Sequence, residues 1–179
     1  AKTRPESPFD LTMNCNTERI PLILYENKSS VDFYDDISFA RVNFYVPKVD
    51  GIAANPIVLY DITDQAWELS EQGTDVTKFY KTVINEYTPT LSAENKVATF
   101  DFDEAGKWTS VDITDYILKH FKNPSPKPIA FTIAPANKFY SSVGILYIGF
   151  KKESKNDMTN KPSYIQILGR MNSRIILQN

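Results

Sequence analysis

Cysteine, histidine and glycine are scarce in this 179-residue chain, and each shortage excludes a class of site. Cys15 is the sole cysteine, which excludes an intrachain disulfide, and the sole histidine, His120, leaves too few ligands for the usual zinc spacings. The six glycines leave little material for a phosphate-binding loop, and no P-loop, GxSxG or HExxH motif occurs. We therefore expect a chain that is not an enzyme and that carries no cofactor. The alternatives are a glycan-active enzyme and a structural calcium ion.

The chain also lacks a large excess of positive or negative charge, and it lacks long apolar runs. The formal net charge is −2 and the basic residues are scattered, so the electrostatic footprint of a nucleic-acid-binding protein is absent. No apolar run approaches the roughly 18 residues that a membrane-spanning helix needs. What the chain does contain is 42% hydrophobic and 13% aromatic residues, a composition that favours a folded domain with a substantial core.

Short β-branched and aromatic runs, separated by turn residues, fill most of the chain. Residues 38–47 alternate cleanly, with Val42, Phe44 and Val46 on one face and polar side chains on the other. About nine or ten such runs, with almost no helical period, predict an antiparallel β-sandwich of jelly-roll type, and an up-and-down barrel is the alternative. We expect a polar arm over residues 1–19 and a single sandwich domain over residues 20–179. The runs cover residues 20–26, 38–47, 55–63, 75–89, 96–104, 127–135, 142–154, 162–169 and 173–179.

Within residues 106–128 the spacing of the apolar side chains changes from the alternation of a strand to the four-residue spacing of a helix. The first part reads as a strand that places Trp108, Ser110 and Asp112 on one face and Val111 on the other. Asp112 is expected to accept backbone N–H groups where a helix begins.

A short helix is predicted directly after that strand. Thr114 has the side chain of a helix N-cap, and Ile113, Ile117 and Phe121 recur four residues apart as one apolar stripe. Asn123 precedes a proline, which disfavours helical backbone and ends the segment. We expect this helix to cover one open end of the sandwich.

The motifs "ARVNFYVPKVDGIAANPIVLYDI", "WTSVDIT", "KKES" and "KPSYIQI" together resemble the DNRLRE-type β-sandwich domains, which include carbohydrate-binding module family 96. The resemblance spans roughly residues 38–168. It implies a secreted module that binds an extracellular polysaccharide or a cell-surface glycan. The element "WTSVDIT" is also similar to one in the propeptide arm domain of the transforming growth factor-β family, which implies instead a domain that shields or docks a protein partner.

Candidate glycan-binding residues are aromatic side chains in polar surroundings, because an aromatic face can stack on a sugar ring. Trp67 is the first candidate, since Gln65 and Glu68 beside it can bond to hydroxyl groups. Trp108 is a candidate too, but its place inside the family-like motif favours packing in the core. The remaining candidates are Tyr80, Tyr140 and Asn137.

Three further features are candidates for metal binding and for modification. Asp32, Asp35 and Asp36 lie close together and carry the hard oxygen ligands that Ca²⁺ prefers, although acids at this spacing more often form a solvated face. Asn27 begins an N-glycosylation triplet. Cys15, in a polar tract, is a candidate for an interchain disulfide in a secreted dimer.

Overall fold

A computed structural model describes residues 11–14, 23–25, 36–47, 49–50, 56–65, 90–102, 104–136, 145–148, 161–170 and 174–178. Within these residues the chain forms eleven strands, one α-helix and a 3-10 turn at Ala93–Asn95. The strands are β1 (Leu11–Asn14), β2 (Ile23–Tyr25), β3 (Ile37–Val46), β4 (Val49–Asp50), β5 (Ile57–Asp61), β6 (Lys96–Phe100), β7 (Lys107–Asp112), β8 (Ile129–Pro135), β9 (Ile145–Ile148), β10 (Tyr164–Gly169) and β11 (Arg174–Gln178), and α1 spans Thr114–His120.

Two four-stranded antiparallel sheets form the body of the fold. Sheet one has the order β11–β10–β3–β7, and sheet two has the order β2–β8–β5–β6. A smaller sheet has the order β1–β9–β4. The predicted all-β antiparallel sandwich with one short helix is therefore confirmed. Four residues of the segment predicted as a polar arm form β1, which pairs with β9.

The core lies between the two large sheets. Val42, Phe44 and Val46 of β3 are buried on the inner face, as the alternation of the sequence predicts. From sheet two, Phe100 stacks on Phe44 with 5.9 Å between the ring centroids. Since these side chains come from both sheets and pack in one cluster, a single hydrophobic core holds the sandwich together.

The tetrapeptide Asp-Ile-Thr-Asp occurs at residues 61–64 and 112–115, at the ends of β5 and β7, and both copies fold alike. In each copy the aspartate Oδ1 accepts the N–H of the threonine two residues on, at 2.9 Å. The threonine hydroxyl accepts a backbone N–H at 3.0 Å, from Ala130 in the first copy and from Ala40 in the second. In each sheet the threonine hydroxyl therefore takes the place of the backbone carbonyl that would otherwise accept this N–H, and the strand ends there.

α1 carries the chain from β7 in sheet one to β8 in sheet two, and it covers that end of the core. Ile113, Ile117 and Phe121 are all buried in the core cluster, which confirms the predicted stripe. The predicted N-cap at Thr114 is wrong, because Ile113 occupies the cap position and Thr114 is the first helical residue. The Thr114 hydroxyl is instead bound to Asp112 and to β3, so it does not reach the helix N–H groups.

No helix among the described residues has both the length and the apolar character to cross a membrane.

Candidate functional site

The outer face of sheet one carries an exposed tryptophan. Trp108 is 42% exposed, so its predicted place in the core is wrong. The reason is the alternation of β7, in which Thr109 and Val111 point inward and Trp108 shares its face with Ser110. We define the outer face of sheet one by the side chains that point away from the core: Arg41, Asn43, Tyr45, Trp108, Ser110, Asp112, Tyr164 and Gln166.

Trp108 is held in place by two tyrosines from neighbouring strands. Its ring centroid lies 5.5 Å from that of Tyr45 on β3 and 5.3 Å from that of Tyr164 on β10, and both pairs are edge-to-face. The Lys161 ammonium lies 4.2 Å from the centroid of the Tyr45 ring, in cation–π contact. These four residues are the aromatic cluster. Because edge-to-face contacts are favourable and directional, they orient the Trp108 ring while leaving much of it open to solvent.

Polar groups lie next to the aromatic cluster on the same face. Ser110 is opposite Asn43 in the sheet, and its hydroxyl donates to Asn43 Oδ1 at 2.6 Å. One row further along the strands, Arg41 Nε donates to Gln166 Oε1 at 2.9 Å. The outer face thus combines one open indole ring with hydroxyl, amide and guanidinium groups.

Asp112 closes the polar end of this face, opposite Arg41. The Thr114 hydroxyl and the Thr114 backbone N–H both donate to Asp112 Oδ1, at 2.6 and 2.9 Å. These two bonds lower the pKa of Asp112 below its usual value, so the side chain stays anionic at neutral pH. The expected role of Asp112 as an acceptor of backbone N–H where the helix begins is confirmed.

A second polar group lies between α1 and sheet two. Tyr116 stacks on His120 with 5.7 Å between ring centroids, and the His120 Nε2 lies 2.9 Å from the carbonyl oxygen of Lys127. Burial raises the pKa of Tyr116 and lowers the pKa of His120. The Thr63 hydroxyl lies 3.4 Å from the Tyr116 hydroxyl, donates to Asp61 and accepts the backbone N–H of Ala130 on β8, so the group fastens the helix to sheet two.

Most of the sequence-predicted site residues lie outside the described residues. These are Trp67, Tyr80, Tyr140, Asn137, Asp32, Asp35, Cys15 and Asn27. Asp36 is described; its carbonyl oxygen accepts the backbone N–H of Arg170 at 2.8 Å. Within the described ranges no group of three histidine, cysteine or acidic side chains is placed to hold a metal ion.

The sequence alone did not identify Tyr45 and Tyr164 as partners of Trp108, or Lys161 as the cation over the Tyr45 ring. The alternation of β3 already placed Tyr45 on an outward face. What was missing was the register that sets Tyr45 opposite Trp108 and Tyr164 opposite Asn43.

No family model matches this chain, and no curated protein matches it either.

Proposed function

We propose that this protein is a non-catalytic extracellular module that binds a polysaccharide or cell-surface glycan on the outer face of sheet one. A sugar ring stacks on Trp108, and the neighbouring polar side chains bind its hydroxyl groups. The observation that carries the proposal is the exposed Trp108, held edge-on by two tyrosines beside a row of hydroxyl and amide groups. The resemblance to DNRLRE-type domains supports the same class of ligand.

The energy of such a contact follows from the exposed part of the indole. A tryptophan side chain can bury up to about 250 Å², so the 42% that is open offers about 100 Å² to a ligand. At about 25 cal/mol per Å², covering that area contributes about 2.5 kcal/mol. Stacked aromatic contacts with other flat ligands contribute about 1–3 kcal/mol, which agrees with this figure.

Little of the binding energy should come from long-range charge. The formal net charge is only −2, and the outer face carries Arg41 and Asp112 opposite each other. We therefore expect the affinity to change little with salt, unlike the binding of a polyanion by a basic surface.

The test is a glycan array probed with the wild-type protein and with Trp108→Ala, in buffer with Ca²⁺ and in buffer with EDTA. We expect Trp108→Ala to weaken binding to the glycans that the wild type selects by about 5- to 150-fold, which corresponds to about 1–3 kcal/mol. Trp108→Ala also removes the two edge-to-face contacts with Tyr45 and Tyr164, so the melting temperature should fall by a few degrees, and binding is compared at a temperature at which both proteins are folded. Lys119→Ala, an exposed change on α1, is the matched control and should leave the array pattern unchanged.

Two results would count against the proposal. The first is a wild-type protein that selects no glycan, and the second is an unchanged affinity in a folded Trp108→Ala variant. Loss of binding in EDTA alone would add a calcium requirement.

One observation favours a protein partner instead. Ile176 on β11 is 38% exposed and lies on the same side of sheet one, opposite Gln166. Tryptophan, tyrosine and arginine are also common in the centres of protein interfaces, and an interface would bury Ile176 as well. Under this alternative, the partner is a propeptide-like or matrix protein. Ile176→Ser alone and Trp108→Ala alone should each release it. A glycan ligand is released only by Trp108→Ala.

A further inference from the structure

A buried amide with an unused hydrogen-bond donor lies on the outer face. Asn43 is 2% exposed, and its Nδ2 has no acceptor within the described part of the chain. The other polar atoms of the residue are engaged: Oδ1 accepts the Ser110 hydroxyl at 2.6 Å, and the carbonyl oxygen accepts the Ser163 hydroxyl at 2.8 Å. Exchanging the amide oxygen and nitrogen does not remove the problem, because the atom turned away from Ser110 is again unpaired.

The aromatic cluster lies over this amide. β7 and β10 flank β3 on its two sides, about 10 Å apart across two strand spacings. The rings of Trp108 on β7 and Tyr164 on β10 nevertheless approach to 5.3 Å, so they meet above β3. Tyr164 is also the register partner of Asn43. The rings of Trp108 and Tyr164 therefore cover the Asn43 side chain.

An unpaired buried donor is costly in free energy, and a leucine of similar size would avoid that cost. Because unpaired buried donors are rare in folded proteins, each one calls for an explanation. One explanation is a ligand that completes the hydrogen bond. Because Oδ1 faces Ser110 on β7, the unpaired Nδ2 is turned toward β10 and its register partner Tyr164. A sugar that replaces the Tyr164 ring against Trp108 would bring the hydroxyl oxygens on its edge to that side of the amide.

We propose that Asn43 Nδ2 donates a hydrogen bond to a hydroxyl oxygen of the sugar stacked on Trp108, when the Tyr164 ring turns away from the indole. Asn43 is then the residue that determines specificity, while Trp108 supplies affinity for any pyranose ring. This inference rests on the proposed function, and it adds that the ligand must carry a hydroxyl at one defined ring position. A site with a buried donor discriminates strongly against an epimer that lacks the matching acceptor.

The experiment compares the wild type with Asn43→Leu, Trp108→Ala and the exposed-amide control Asn123→Ala. Each protein, labelled with ¹⁵N, is titrated with the methyl pyranosides of glucose, galactose and mannose, while the Trp108 indole and Asn43 side-chain signals are followed. We expect Asn43→Leu to melt about 2–4 °C higher, because the cost of the unpaired buried donor exceeds the loss of the Ser110 hydrogen bond, whose exposed hydroxyl can bond to water instead. It should also bind the preferred pyranoside about tenfold more weakly and lose its preference among the three sugars. Asn123→Ala should keep the affinity and the sugar preference of the wild type, although it loses the hydrogen bond from the Ser125 N–H.

The outcomes separate this inference from the function on which it rests. If Asn43→Leu keeps the wild-type affinity and preference while Trp108→Ala loses binding, Asn43 has only a structural role and the glycan surface stands. If no pyranoside shifts the Trp108 indole signal of the wild type and the array is also blank, the proposed function and this inference both fail. Should Asn43→Leu not fold, the wild type alone decides. An indole shift without a shift of the Asn43 side-chain N–H signals overturns the inference.

Discussion

Replacing Ile117 by alanine tests whether α1 is part of the core. The Ile117 side chain is 0% exposed and packs in the cluster formed by both sheets. Its backbone N–H donates to the Ile113 carbonyl at 3.0 Å, and its own carbonyl accepts the Phe121 N–H at 3.1 Å. Alanine keeps both backbone bonds, so the substitution removes side-chain packing alone.

The expected loss of stability follows from the atoms removed. Isoleucine has three more carbons than alanine, and at about 0.8 kcal/mol for each buried carbon the transfer term is about 2.4 kcal/mol. The cavity left behind adds to this, and measured Ile→Ala changes in cores cost about 2–5 kcal/mol. Alanine is the better helix former by a few tenths of a kcal/mol, which offsets a small part. We expect the free energy of unfolding to fall by about 2–4 kcal/mol.

Urea unfolding, followed by circular dichroism, measures this change. Lys119→Ala, an exposed substitution in the same helix, is the control and should change the free energy of unfolding by less than about 0.5 kcal/mol. If Ile117→Ala costs no more than its control, the helix is not packed into the cooperative core. In that case α1 does not cover the end of the sandwich core.

Two further predictions concern pH and a turn. Burial lowers the pKa of His120, against the opposing effects of the Lys127 carbonyl, Asp61 and Asp64, so the folded state prefers the neutral ring. The stability that the neutral ring provides is complete above the unfolded-state pKa of about 6.5, and it is lost as pH falls through the lower folded-state pKa. Melting temperatures of His120→Gln, measured across this pH range, should lack this dependence. Gly106 has a φ of +83° with open space around its missing Cβ. Gly106→Ala should therefore lower the melting temperature by only the backbone strain, about 2–6 °C, and an unchanged value would refute that reasoning.

The sequence by itself determined the fold class and the faces of the strands. The pleat of a strand turns alternate side chains to opposite faces, so the alternation over β3 and β7 sufficed to separate Val42 and Val111 from Tyr45 and Trp108. The change from a period of two to a spacing of four did the same for the helix after residue 113. These are local properties, because each depends only on neighbours along the chain.

Local preference failed where a distant strand competed for the same group. Thr114 has a side chain suited to an N-cap, but its hydroxyl is bound by the backbone N–H of Ala40, 74 residues earlier in the chain. The same substitution of a hydroxyl for a backbone acceptor occurs at Thr63, bound by Ala130. The repeated Asp-Ile-Thr-Asp is visible in the sequence, but what it does depends on a strand that the motif does not contain.

The candidate site was decided only by the tertiary structure. Its family-like motif favoured a core position for Trp108, and the sandwich instead leaves that ring open on an outer face. Tyr45, Trp108 and Tyr164 are far apart in sequence, and they meet because β7, β3 and β10 pair in one particular register. Asn43 has an outward position and is buried all the same, because rings from the strands on either side meet above it. Alternation says which way a side chain points, whereas register between strands, fixed by contacts across the whole chain, says what lies beside it.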